Sequence, residues 1–268
     1  MAITLTAGIS ANLFALQNTN SLMEQTQKRL STGLKVDSAL DDPINFFAAQ
    51  EHKQRASDLN FRKDAMGEAV QTIKAANNGI EAITDLIASA KSTAQSALST
   101  TDTTERAALA TQFNSLMDQV DSLAEDSGYK GINFLDNNSL DVTFNADGDN
   151  KVTVSGFTGT ADGLSIADAA SSWSDAADIN TAISDLDDAK DTLRTESKEL
   201  ANNLGVITAR EDFTEKMMNT LNDGAANLTN ADMNEEAANM LMLQTRQALG
   251  TTSLSMASQA AQAILRLF

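Results

Sequence analysis

The chain has 268 residues, a formal net charge of −18, one Pro, one Trp, one Tyr, one His and no Cys. An acidic balance this strong argues against nucleic acid or an anionic membrane as partner, because binding either needs positive charge; the lack of Cys removes disulfides, thiolate zinc sites and a Cys nucleophile. The length fits one or two domains, no run of ~18 apolar residues suggests a membrane-inserted helix, and the uncharged stretch Met1–Met23 has no basic start or apolar run of the kind a secretory signal carries.

In chain order, Ile9, Leu16, Met23 and Leu30 stand seven apart, with Leu13 and Leu34 on the neighbouring row. That spacing predicts an amphipathic helix from about Thr6 to Ser31. Its outer face carries Asn, Gln, Ser and Thr in place of charge until Glu24, which suits a second layer of protein contact rather than water. Gly33 can end this helix, and Asp42 before Pro43 has the form of an N-cap followed by Pro at the first helical position. A long helix is expected from Pro43 to about Ser99, a rod of roughly 85 Å at the helical rise. Its seam is Leu59, Met66, Ile73, Ile80, Ile87 and Ala94, with a second row at Ala69, Ala76, Ile83, Ala90 and Ala97. His52 falls where this row extrapolates backward; as the only His, outside any HExxH motif, it reads as a packing or solvated residue.

Ser99–Glu105 breaks the pattern, with Asp102 and Glu105 spaced like a capping box. Leu109, Phe113, Leu116, Val120 and Leu123 then predict a second helix that folds back on the first, ended by turns at Gly128 and Gly131. From Leu140 the period drops to two: Leu140, Val142 and Phe144, then Val152 and Val154, flank "ADGDN" and predict a β-hairpin. Asp147, Asp149 and Asn150 lack the twelve-residue layout of an EF-hand calcium loop and read as turn chemistry. Phe157–Trp173 is expected to be loop with a short helix at most. Helical period returns at Ile179, Leu186, Leu193, Leu200 and Ile207, the partner seam for the long helix. After a break capped by Asp232, a last helix carries Met242, Leu249, Met256 and Ala263, with Ala260, Ile264 and Leu267 beside them; between Ala237 and Leu265 its only charge is Arg246. The two ends therefore match, each apolar on one face and neutral-polar on the other.

Three stretches closely resemble bacterial flagellins. The first is Arg29-Leu30-Ser31-Thr32-Gly33-Leu34 followed by Ser38-Ala39 and Asp41-Asp42. The second is Gly131-Ile132-Asn133-Phe134-Leu135, after the fold-back helix. The third is the C-terminal run with Gln244, Leu249-Gly250-Thr251, Ala257 and a Leu-rich final turn at Leu265–Phe268. Of the family's frequent Asn-Gln near Ser258-Gln259, only the Gln is present. The motif residues carried over are Arg29, Leu30, Ser31, Gly33, Asp41 and Asp42.

The residues and the resemblance together set the expectations. The fold is mainly α: a long antiparallel helical bundle or coiled coil with paired terminal helices and a small β-hairpin insert. The expected domains are 1–34 with 231–268 (terminal coiled coil for assembly), 35–139 with 175–230 (long-helix bundle) and 140–174 (surface-exposed insert). The bundle seam is Leu59, Met66, Ile73, Ile80 and Ile87 against Ile179, Leu186, Leu193, Leu200 and Ile207. The polymerisation interface is Ile9, Leu16, Met23, Leu30, Met242, Leu249, Met256, Ile264 and Leu267. The resemblance implies a structural subunit of an extracellular flagellar filament for motility. Its partners would be further copies of itself, paralogous flagellins, the type III export apparatus and an export chaperone, without nucleic acid, membrane insertion, cofactor or metal. A hook–filament junction protein and a flagellin-like cell-surface binding protein are the alternatives; no nucleophile–base constellation supports an enzyme.

Overall fold

The computed structural model describes residues 7–265; the side chains of Ala7, Ser171, Ala261, Ile264 and Leu265 are not described. Five α-helices and one two-stranded sheet follow in the order α1 (Ala7–Thr32), α2 (Pro43–Ser99), α3 (Thr103–Asp126), β1 (Ser139–Thr143), β2 (Lys151–Ser155), α4 (Ala176–Thr229) and α5 (Met233–Leu265). A short 3-10 turn at Ala170–Trp173 precedes α4. The chain divides into two compact units, Arg55–Asn219 and Met1–Gln54 with Thr220–Phe268. This division lies deeper in the long helices than the expected one at 34 and 231, and it leaves 140–174 inside the first of these units.

The Arg55–Asn219 unit is built on the seam of α2. Leu59, Met66, Ile73, Ile80, Ile87 and Ala94 are all buried, and so is the second row Ala69, Ala76, Ile83, Ala90 and Ala97. On α4, Ile179, Leu186, Leu193, Leu200 and Ile207 are buried as well. The two helices are antiparallel, as three side-chain pairs show: Lys63 Nζ to Glu215 at 2.8 Å, Ser197 Oγ to Asn77 at 3.3 Å, and Lys91 to Asp187. Residue numbers rise on one helix as they fall on the other. Small Ala side chains in the second row let neighbouring helices approach closely. A close approach is made at Gly79, where a Cβ would lie 2.1 Å from the Ser127 hydroxyl at the end of α3.

Asp102 caps α3, its carboxylate accepting from Thr104 N at 2.8 Å. The expected capping box is only half made: Glu105 accepts from the Thr100 hydroxyl at 2.7 Å instead of reaching back to the cap. At the other end Asn133 closes the helix, donating to the carbonyls of Ala124 and Glu125 at 2.7 and 3.0 Å. This answers the unpaired carbonyls that every helix C-terminus leaves. Phe134 and Leu135 follow it into the core.

The hairpin has the expected strands, paired Leu140↔Val154 and Val142↔Val152. Its turn is organised by Asn145, whose side-chain oxygen accepts from Gly148 N and Asn150 N at 3.0 and 3.1 Å. The insert is less exposed than the sequence suggested. Val142, Phe144, Val154, Leu164, Ile166 and Trp173 join the same core as the long helices. Two polar side chains of α3 hold its backbone: Asp121 accepts from Ala161 N at 2.7 Å and Asn114 from Ala169 N at 2.9 Å. Trp173 packs against Phe113 with ring centroids 4.9 Å apart and planes tilted by 56°, both fully buried.

Two predictions follow from this packing. Phe113→Ala should lower unfolding free energy by about 3–5 kcal/mol, whereas the exposed Phe61→Ala should change it little. Denaturant titration followed by Trp173 fluorescence measures both, and equal costs would refute the assignment of the core. Gly79→Ala should destabilise by about 1–3 kcal/mol through overpacking against Ser127. Gly67→Ala, where a Cβ meets open space, should stabilise the helix by roughly 0.5–1 kcal/mol. Thermal melts that gave both substitutions the same sign would contradict this reading.

Candidate assembly surface

The surface of interest belongs to the unit formed by Met1–Gln54 with Thr220–Phe268. Its organising feature is the antiparallel pair α1 and α5. Four contacts fix the register. Asn12 Nδ2 donates to Ser253 Oγ at 3.2 Å, Gln247 Nε2 donates to Asn20 Oδ1 at 2.9 Å, Arg29 Nη1 meets Glu236 Oε1 at 2.8 Å, and Gly250 lies against Leu16. Along the pair the residue numbers of α1 rise as those of α5 fall, at a nearly constant sum, as an antiparallel coiled coil requires. Glu236 is buried, and its second oxygen has no hydrogen-bond partner among the described residues. This ion pair therefore holds α1 to α5 at one place, while amides and a hydroxyl do so elsewhere.

The stretch joining α1 to α2 carries the motif residues. Gly33 ends α1 with φ +72°, the left-handed conformation that favours glycine. Its N–H donates to Arg29 O at 2.8 Å, and its carbonyl accepts from Ala231 N at 2.9 Å. Lys35 N and Val36 N both donate to Thr229 O, at 2.7 and 3.2 Å, so the connection is tied to the end of α4. Asp41 accepts from Ser38 Oγ and from the N–H groups of Ser38 and Asp37. The Ser38 hydroxyl, helped by those N–H groups, holds the Asp41 carboxyl below the usual carboxylate range. Asp42 caps α2, accepting from Ile44 N and Asn45 N at 3.1 Å each. The Asn45 N–H is the largest cause of its lowered pKa. Lys28 is raised in turn, chiefly by its bond to Asp37 at 2.9 Å. Leu30 is half-buried and Ser31 exposed.

The structure separates the residues expected at the polymerisation interface. Ile9, Leu16, Met23 and Leu30 are half-buried, with Leu16 on the side of α1 that meets α5. Met242, Leu249 and Met256 stand about 100° around α5 from the residues turned toward α1 and are exposed, Leu249 by 66%. The residues of α5 turned inward are a different set, with Leu243 buried and Gly250, Leu254 and Ala257 half-buried. The Ile264 side chain and Leu267 lie outside the described residues. On α1 the exposed apolar residues are Leu13, Phe14 and Leu22, with Phe14 74% exposed. Phe14 and Leu22 stand off the heptad row, and that offset is the signal by which the sequence could have marked them as outward-facing. Leu40 in the connection and Ile44 and Phe47 in the first turns of α2 extend the exposed apolar surface.

His52 is half-buried, with its ring 3.6 Å from where a Cβ on Gly224 would stand. Among the described residues no group of three or more His, Asp or Glu side chains is placed to hold a metal ion, and no helix is long and apolar enough to cross a membrane.

This chain is similar to known proteins along its whole length. The family model of the bacterial flagellin N-terminal helical region matches residues 6–139. Flagellin FljM of Caulobacter vibrioides is 33% identical over 264 residues, covering 97% of this chain and 96% of that protein. The flagellin of Brucella melitensis is 28% identical over 274 residues, with 97% of each chain covered. The crystal structure of Bacillus cereus flagellin aligns with a TM-score of 0.49 at 17% identity, covering 56% of this chain and 88% of that one. The matched region contains the Arg29–Asp42 connection and Asn133, and the full-length relatives extend the match through α5. The chain belongs to the bacterial flagellins, the structural subunits of the flagellar filament.

Proposed function

We propose that the outer faces of α1 and α5 carry the contacts between subunits, and that the α1–α5 pair is the assembly element of this flagellin. The observation that supports this most directly is the row Met242, Leu249 and Met256. It is exposed while the neighbouring row of α5, one residue on, already serves α1. An apolar row flanked by neutral polar residues is costly to leave in water. A neighbouring copy with the same element can cover it. Contacts that join different patches of successive copies and do not close on themselves produce an open helical polymer.

The role read here is structural rather than catalytic. The partners are further copies of this chain and related flagellins, and the place of action is the extracellular filament. Export through the flagellar type III apparatus with an export chaperone fits a chain without Cys and with one Pro, since such a chain carries no disulfide to reduce before passage.

Leu249→Asp tests the interface. The substituted chain should keep its helicity and its α1–α5 pairing but lose polymer, because a carboxylate in a dry contact costs several kcal/mol. Circular dichroism and sedimentation of the polymer read the two properties separately. Polymer in wild-type amount from Leu249→Asp would overturn the assignment. With −18 on each subunit, wild-type growth should also rise from very low to moderate salt as self-repulsion is screened. Light scattering follows it, and faster growth in very low salt would contradict the reading.

A further inference from the structure

The outward row of α5 alternates thioether and isobutyl side chains, Met242, Leu249 and Met256. Met242 and Met256 are 45% and 61% exposed, Met233 at the start of α5 is 46% exposed and Met217 on α4 36%, whereas Met66 and Met117 in the other unit are 0% and 2% exposed. Oxidation of methionine follows access of the oxidant to sulfur, and it converts a flexible apolar side chain into a polar one. Among the open methionines, Met242 and Met256 are the two that stand in the row to which assembly has been assigned, and the shielded Met66 and Met117 are in the core.

We propose that Met242 and Met256 form an oxidation-sensitive pair that sets whether the free subunit can assemble; this rests on the assembly role of the outer α5 face. The reactant is a peroxide. With hydrogen peroxide, the sulfur lone pair attacks one peroxide oxygen, the O–O bond breaks, an S–O bond forms, and the other oxygen leaves as water after proton transfer. Sulfur loses two electrons and the peroxide gains them. The product places an S=O dipole at two positions of a row that a neighbouring subunit must cover without water, and a buried polar group without a hydrogen-bond partner is costly. The chain has no Cys to reduce the sulfoxide internally. Covering by the neighbour also shields both sulfurs, so the sensitive period ends when a subunit joins the polymer. Damage to the free subunit then removes it from growth, while subunits already in place are protected.

The test uses the full chain. Monomer is treated with hydrogen peroxide, the peroxide is removed, and polymer is measured by sedimentation while peptide mass spectrometry locates the added oxygen. Met242 and Met256 should oxidise well ahead of Met66 and Met117, with polymer yield falling by about tenfold. The M242L/M256L chain, a swap that nearly conserves volume, should polymerise before treatment and lose little after it. Preformed filaments given the same dose should keep both sulfurs reduced. Oxidised wild type that polymerises as well as untreated protein would overturn the proposal, as would an equal loss by M242L/M256L, which would move the effect to other methionines. Untreated wild type with no polymer, or full polymer from Leu249→Asp, would overturn the assembly reading itself, and with it this inference. Loss of the oxidation effect alone, with untreated wild type polymerising and Leu249→Asp not, overturns only the sulfur pair.

Discussion

The apolar seam of α2 is the constraint on which the Arg55–Asn219 unit depends. Isoleucine, methionine and leucine at every seventh position, with a second row of four alanines and Ile83 three residues after the seam residues from Met66 on, present a hydrophobic row that the helix cannot cover with its own atoms. α4 covers it with Ile179, Leu186, Leu193, Leu200 and Ile207, and α3 covers part of it with Phe113, Met117 and Val120. Once these faces are buried, the charges at Lys63, Glu215, Lys91 and Asp187 fall at the edges of the seam and pair there. Such exposed pairs contribute little energy. They report the register that the apolar rows impose more than they enforce it.

The α1–α5 pair follows a different chemistry. Its inner face has fewer large side chains, and several cross-helix contacts are amides and hydroxyls. One part-buried ion pair, Arg29 with the buried Glu236, stands near the connection to the rest of that unit. A pair of this kind is weak evidence for stability but a good device for register, because a slipped alignment leaves the buried Glu236 carboxylate unpaired. The outer face keeps Phe14, Leu249 and Met256 in the open. Two helices that bury one face and leave apolar groups exposed beside it form an element whose burial is unfinished within a single chain, which the proposed contacts between subunits would complete.

The connections between helices show how motif residues act without touching any ligand. Gly33 supplies the left-handed turn, Thr229 receives two backbone N–H groups from the following segment, and Asp41 and Asp42 each collect several short-range donors. These contacts anchor the path of the backbone where α1, α2, α4 and α5 begin or end. Asn133 does the same work at the end of α3, so a motif read in the sequence as a family signature is physically a helix cap.

Periodicity alone determined the helices, since an amphipathic row seven residues apart has one economical solution, and the start of α2 at Pro43 followed from its cap. The hairpin likewise follows from alternation and turn residues, and the family from ordered motifs at both ends. What the sequence left open was which face of each terminal helix meets its partner. The row Ile9, Leu16, Met23 and Leu30 and the row Met242, Leu249 and Met256 have the same spacing, yet the first is half-buried and the second exposed. Heptad spacing identifies a face but not what covers it. The burial of Val142, Phe144 and Trp173, the tethering of the insert by Asp121 and Asn114, and the need for glycine at position 79 were also decided only in three dimensions. Each depends on an approach between segments distant in the chain, and a one-dimensional pattern carries no term for that distance.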